Sequence, residues 1–309
     1  MNKATFAIQA SNLTKTFSGG KVAVSSLDLG ILKGTVYGLM GRNGSGKSTA
    51  IRLLLGLLKA DSGTARVLGH DLWDAPRGVR AKVGYVAQQP QLPGWMSLRD
   101  LGRYVSHLYP SWDEEVFKTA AGRWELPLGQ PVGRMSAGEQ RKAAVVLSLA
   151  PQPEVVLLDE PTAGLDSIAK REFVNLLVEL LADRPDTTVV LSTHDIGDLG
   201  RLANVVGVMD RGRLMLSHDV EELQLTMKKV QIICPDEATT QQLRLPGLIR
   251  QEVVGSVVTA VCRLANEQQL DFIRQQEGLR VEVFAMGIED IFVEVFESVE
   301  STLLQDARN

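Results

Sequence analysis

The sequence predicts an α/β protein organised around a phosphate-binding turn, with a small α+β domain after it. Three observations carry this. A glycine-rich octapeptide, Gly41-Arg42-Asn43-Gly44-Ser45-Gly46-Lys47-Ser48, stands between an apolar run and an apolar helical stretch. The runs at 155–158 and 187–193 read as strands buried on both faces, and they end in Asp159-Glu160 and His194-Asp195. Beyond Met227 the pattern alternates as β-α-β-β-α-β and then a helix, a ferredoxin-like order.

Taken along the chain, residues 6–10 and 22–31 read as strands, with Gly19-Gly20 as the turn before the second. Phe17 precedes that turn. It is either an ordinary packing residue or a face on which a nucleobase stacks. Residues 35–40 form the strand entering the octapeptide and residues 49–58 the helix leaving it. The octapeptide fits G-x-x-x-x-G-K-[ST] at every position. Its glycines let the backbone curl so that N–H groups converge on an anion, and the helix presents its positive end to the same anion. Lys47 offers a mobile cation to β- and γ-phosphates, and Ser48 a hydroxyl to Mg²⁺.

Asp61-Ser62-Gly63 is expected to turn into a strand at 64–69. Another strand at 82–87 ends at Gln88, which either orients water and reaches Mg²⁺ or is a solvated loop residue. Residues 95–150 take helical spacing, as in Leu98, Leu101, Val105 and Leu108. The aromatics there, Trp95, Tyr109, Trp112 and Trp124, either pack the helices together or make a docking surface. Ser136 opens a helix, as a plain N-cap or as a second anion site. Asp159 can hold Mg²⁺ and Glu160 can take a proton from attacking water, since both stand at the carboxyl end of a buried strand. Asp166 precedes a helix at 168–182 and would serve at least as its cap. His194 closes the next strand, at the sheet end that already carries Lys47, Gln88 and Glu160. Residues 205–209 and 213–216 read as a hairpin about Asp210-Arg211-Gly212.

At 309 residues the chain suits one large or two modest domains, read here as 1–225 and 226–298 with a polar tail at 299–309. A formal net charge of −4 gives no electrostatic reason for nucleic acid as the main partner. Cys234 and Cys262 lie outside any C-x-x-C and read as two buried thiols in a reducing compartment. Residues 1–11 lack a signal-peptide core, and no uncharged apolar run nears the ~18 residues of a span. The expectation is a soluble, cytoplasmic chain that meets a membrane only through a partner.

In this order the pieces resemble the nucleotide-binding subunit of ABC transporters, over roughly residues 5 to 225. Walker A, glutamine loop, signature, Walker B, D-loop and switch histidine all occur in sequence. The resemblance implies a P-loop NTPase core with an antiparallel β subdomain and a helical subdomain at about 95–150. It implies that Phe17 stacks on adenine, and that Gly41, Arg42, Asn43, Gly44, Ser45, Gly46, Lys47, Ser48 and Thr49 wrap the phosphates. Ser48, Gln88 and Asp159 would attend Mg²⁺. Glu160 would be the general base, with Lys47, Gln88 and His194 completing the catalytic set. Ser136, Ala137, Gly138 and Glu139 would contact the nucleotide of the opposite subunit, and Asp166 would bridge the dimer. ATP and Mg²⁺ are the implied ligands. A second cassette and an integral membrane permease are the implied partners, holding the chain at the inner face of the cell membrane.

The family usually has Leu-Ser-Gly-Gly-Gln where this chain has Met135-Ser136-Ala137-Gly138-Glu139. Ala137 is harmless unless its backbone needs a positive φ, which would cost about 1 kcal/mol. Glu139 brings a carboxylate toward a polyphosphate. Glu160 and His194 are intact, so an active ATPase is expected. Two other readings compete: a soluble ABC-type ATPase acting on ribosomes or DNA, and an ATP-dependent scaffold with low turnover. A single cassette without a long heptad insertion speaks against the first. The C-terminal extension looks like the accessory domain of bacterial exporter cassettes, as does its segment Gly287-Ile288-Glu289-Asp290-Ile291-Phe292-Val293. Both favour export over import. For the extension itself, structural support, dimer contact and a regulatory ligand site stay open.

Overall fold

The structure, a computed structural model, describes residues 5–182, 184–275, 278–295 and 297. The expectations for residues 1–4, for the helix end at 276 and for the tail at 299–309 lie outside the described residues. The chain forms two compact units, Met1–Ser217 and His218–Asn309. The division falls ahead of the boundary at 225 that the apolar pattern suggests. The reason is that the helix Val220–Thr226 is tied into the second unit. Leu264 N donates to Thr226 O at 2.8 Å, and Arg263 reaches Glu222 at 2.8 Å.

Among the described residues nine strands begin in the first unit, the last of them running past its end: β1 (Phe6–Thr16), β2 (Val22–Leu32), β3 (Val36–Met40), β4 (Ser62–Val67), β5 (Val83–Val86), β6 (Val155–Asp159), β7 (Thr188–Thr193), β8 (Val205–Asp210) and β9 (Arg213–Asp219). One sheet is antiparallel, in the order β2-β1-β4. The other runs β5-β6-β7-β3-β8-β9, and β5 through β8 pair in parallel. β6 and β7 are buried along their whole length, as uninterrupted apolar strands covered on both faces must be. A common core joins Ile8, Leu27 and Ile31 of the antiparallel sheet to Tyr37, Leu157 and Val190 of the parallel one, through Ile51 and Leu54 of the helix Lys47–Leu54.

Several boundaries differ from the sequence reading, each for a local reason. The helix after the octapeptide stops at Leu54, short of 58. Gly56 takes φ +63°, and Leu57 N closes back on Arg52 O at 2.9 Å, a glycine-terminated helix end. Ser62 and Gly63 belong to β4 and do not form a turn ahead of it. Short helices at Arg77–Arg80, Ile196–Leu202 and Val220–Thr226 carry too few residues to show a period in sequence.

Residues 95–150 are helical at Leu98–Ser106, Glu114–Arg123 and Ala137–Leu149. Two of the tryptophans there pack against neighbouring aromatics. Trp124 is buried with its ring 5.4 Å from Phe173, and Trp112 lies 5.3 Å from Phe117. Trp95 is 82% exposed.

After the helix Val220–Thr226 the second unit runs β-α-β-β-α-β, with β10 (Met227–Ile233), β11 (Leu248–Val254), β12 (Val257–Arg263) and β13 (Arg280–Ala285). Its sheet is antiparallel throughout, in the order β11-β12-β10-β13. The helical elements are short: Glu237–Gln242, a 3₁₀ turn at Glu267–Leu270 running into Asp271–Arg274, and a helix described at 288–295 and 297. Val230, Ile232, Val258 and Ala260 make its core, together with both cysteines as free thiols. Burial pushes the Cys262 thiol up to about 11, so it stays protonated and unreactive.

Candidate nucleotide site

β6, β7 and β3 are adjacent parallel strands, so their carboxyl ends stand side by side. That places the octapeptide after β3, Asp159-Glu160 at the end of β6, and His194 just after β7 at one end of the sheet, beside a cleft of about 340 Å³ that Asp159 and His194 do not themselves line. Phe17, Asn43, Gly44, Gly46, Lys47, Ser48, Thr49, Gln88 and Glu160 line it. Phe17 lies on the β1–β2 turn and is 42% exposed, a free aromatic face at the cleft. Gly41, Arg42 and Ser45 complete the loop without lining the cleft. Gly46 takes φ +108°, and a Cβ there would strike the Ala23 carbonyl, so both conformation and space demand glycine.

The polar groups form one connected network. Lys47 is buried, and its Nζ donates to Gly41 O at 2.7 Å and faces Glu160 Oε1 at 3.1 Å. Glu160 Oε2 lies 2.7 Å from His194 Nδ1. Glu160 stands at φ 48°, a strained turn that ends β6 and aims its carboxylate across the sheet top. Its N–H donates to Ser192 Oγ at 2.9 Å, and that hydroxyl donates to Asp159 Oδ1 at 2.8 Å. Ser48 Oγ donates to the same oxygen at 2.9 Å. Asp159 is wholly buried, yet its Oδ2 has no hydrogen-bond partner. An unpaired buried carboxylate oxygen beside a serine hydroxyl is the donor set a hard divalent cation takes. These residues fit Mg²⁺ on that ground.

Ser192 was not among the residues singled out in sequence. Its signal is a polar side chain inside an otherwise apolar buried strand. Lys21 and Ala23 also line the cleft and were likewise missed.

None of Ser136, Ala137, Gly138 and Glu139 lines this cleft. Ser136 caps its helix: Glu139 N donates to Ser136 Oγ at 3.2 Å, and Ser136 N donates to Glu139 Oε2 at 2.7 Å, a reciprocal capping box. Ala137 is helical and absent from the positive-φ positions, so its methyl costs nothing. Farther along that helix, Arg141 donates to Gln88 O at 3.2 Å, joining it to the glutamine loop. Asp166 Oδ1 accepts from Ile168 N and Ala169 N at 3.0 and 2.9 Å, the helix-cap role.

A P-loop at the end of β3, facing an acidic pair on a neighbouring parallel strand, defines a P-loop nucleoside triphosphatase. The family model for ABC transporters matches residues 24–163. The chain is 32% identical to the Nod factor export ATP-binding protein I of Sinorhizobium fredii, over 94% of this chain and 86% of that protein. It is 28% identical to the ABC transporter ATP-binding protein YtrB of Bacillus subtilis, over 94% and 98%. A solved ATP-binding cassette, a dimer in a post-hydrolysis state with ADP and phosphate, superposes with a TM-score of 0.61. It is 25% identical and covers 69% of this chain and 98% of its own. The chain belongs to the ABC transporter family as an ATP-binding, ATP-hydrolysing subunit. Among the described residues no helix is long and apolar enough to cross a membrane.

Proposed function

We propose that two such cassettes close around two Mg·ATP and drive export through a separate membrane permease. The observation that carries this is the pairing of Lys47 with Glu160 and of Ser48 with Asp159 across the cleft. A γ-phosphate at Lys47 competes for the ammonium that Glu160 now holds. Its arrival frees the carboxylate as a base, in the place where water must attack. Glu160 Oε then takes the water proton as oxygen bonds to phosphorus and the ADP oxygen leaves. His194, hydrogen-bonded to Glu160, keeps the carboxylate aimed and contacts the phosphate. Ser48 and Asp159 hold Mg²⁺, which neutralises charge on the phosphate oxygens when bound. Phe17 stacks on the base, and the loop from Gly41 to Thr49 cradles the phosphates.

The cleft takes no lining from its own Ser136–Glu139 turn. A second cassette presents its Ser136–Glu139 turn there, with Asp166 beside it, and closing expels water from the γ-phosphate. The dimeric solved cassette supports this arrangement. Export is favoured by the Nod factor export relative and by the segment at 287–293. An apolar groove of about 340 Å³, lined by Tyr85, Leu92, Leu101, Val105 and Leu108, is entered by the chain directly after Gln88. It is the surface we assign to the permease. Its position links the partner to the catalytic glutamine, and the pair sits at the inner face of the membrane.

The test is Glu160→Gln. Hydrolysis should fall about 10²–10⁴-fold while Mg·ATP still binds. An unchanged turnover removes Glu160 from the reaction.

A further inference from the structure

We infer that Lys21 is a nucleotide-binding residue and supplies a second cation, at the α-phosphate. This rests on the nucleotide-site reading above. Lys21 lines the same cleft as Lys47 and Phe17. It closes the β1–β2 turn, since Phe17 N donates to Lys21 O at 2.9 Å, so aromatic and ammonium are carried on one short hairpin turn.

Its neighbours set the place of the ammonium. Lys21 directly precedes β2, and Ala23 is the second residue of that strand. Both line the cleft. Ala23 lies against the P-loop, because its carbonyl occupies the space a Cβ on Gly46 would need. Lys21 is therefore held between the base platform at Phe17 and the phosphate cradle at Gly44 and Gly46. A nucleotide stacked on Phe17 with its terminal phosphate at Lys47 places its α-phosphate in that interval.

Charge singles Lys21 out further. The other cleft cation, Lys47, is already paired with Glu160, and Glu160 also holds His194. Among the described residues the Lys21 ammonium has neither ion-pair nor hydrogen-bond partner, and the residue is exposed. An unpaired lysine at the mouth of a phosphate cleft carries no folding interaction that would explain its place. It adds a charge-assisted contact that any adenine nucleotide with an α-phosphate satisfies.

The experiment measures dissociation constants of the full chain for ATP, ADP and AMP with Mg²⁺, and for adenosine, in wild type, Lys21→Gln and Lys21→Arg. An exposed charge-assisted contact corresponds to about a 5-fold change. Lys21→Gln should weaken ATP, ADP and AMP by that factor alike and leave adenosine unchanged. Lys21→Arg should restore binding to within about 2-fold, because the charge is kept. The loss in Lys21→Gln should shrink as salt rises. Equal affinities in wild type and Lys21→Gln overturn the inference. So does a loss confined to ATP, which would put the contact at the γ-phosphate, or an equal loss for adenosine, which would make it a base or packing effect. A wild-type chain that fails to bind Mg·ATP overturns the nucleotide-site reading itself, a result distinct from the other three.

Discussion

Glu139→Gln separates two effects of one carboxylate, and they act in opposite directions. In the structure Glu139 Oε2 accepts from Ser136 N at 2.7 Å, at the first turn of Ala137–Leu149. A carboxylate there completes the capping box and favours the positive helix end, each worth about 0.5–1 kcal/mol. Gln keeps an acceptor oxygen and loses the charge, so stability should fall by about 0.5 kcal/mol. That lowers the melting temperature by roughly 1–2 °C for a unit of this size. In the proposed dimer the same charge would face the partner's triphosphate. A carboxylate and a dianion about 8 Å apart in water repel by about 1 kcal/mol. Physiological salt cuts that to roughly 0.4 kcal/mol. Relief at two interfaces should raise the dimer formation constant about 4-fold, and since two ATP enter each dimer it should lower the half-dimerising ATP concentration about 2-fold. The assay is ATP-dependent dimerisation by size exclusion in the Glu160→Gln background, at low and high salt, beside thermal unfolding without nucleotide. Glu139→Gln requiring more ATP to dimerise, or showing no salt dependence, would refute the charge argument even if the helix were weakened as expected.

Further expectations follow from the core and the network. Asp159→Asn removes a buried charge whose Oδ2 lacks a partner, which relieves part of a ~1–3 kcal/mol desolvation cost. The nucleotide-free protein should therefore be as stable as wild type or more so. Mg²⁺ should no longer strengthen ATP binding, as read by nucleotide titration with and without the metal. Phe173→Ala empties a site under Trp124 and should cost about 3–5 kcal/mol in denaturant unfolding. The hydrogen bond from Lys170 holds Asp195 below the usual carboxylate range. A lowered folded-state pKa stabilises above the unfolded value, near 3.8, and that stability is lost as pH falls through the folded value. Lys170→Met should thus reduce stability at pH 7, by no more than about 1 kcal/mol for a partly exposed pair. It should also flatten the decline below pH 4.

The local chemistry of the site was legible because each motif dictates its own few residues. Glycines at 44 and 46 specify positive φ, Ser136 with Glu139 specifies a capped helix start, and four apolar residues before Asp159 specify a buried strand. The alternation at the C-terminal end likewise indicated the order of its elements. Short helices such as Arg77–Arg80 carried no such pattern.

The sequence by itself determined which functional groups exist and how each backbone turn presents them, since glycine freedom, capping and burial act within a few residues. The tertiary structure alone decided which groups meet. Setting β6 and β7 beside β3 is a long-range choice of strand order, and it brings Lys47 to Glu160 and Ser48 to Asp159. The same packing makes Ser192 a bridge between the two acids and turns Lys21 toward the cleft. No local spacing encodes those contacts, because they are set by how the sheets and helices share one apolar core.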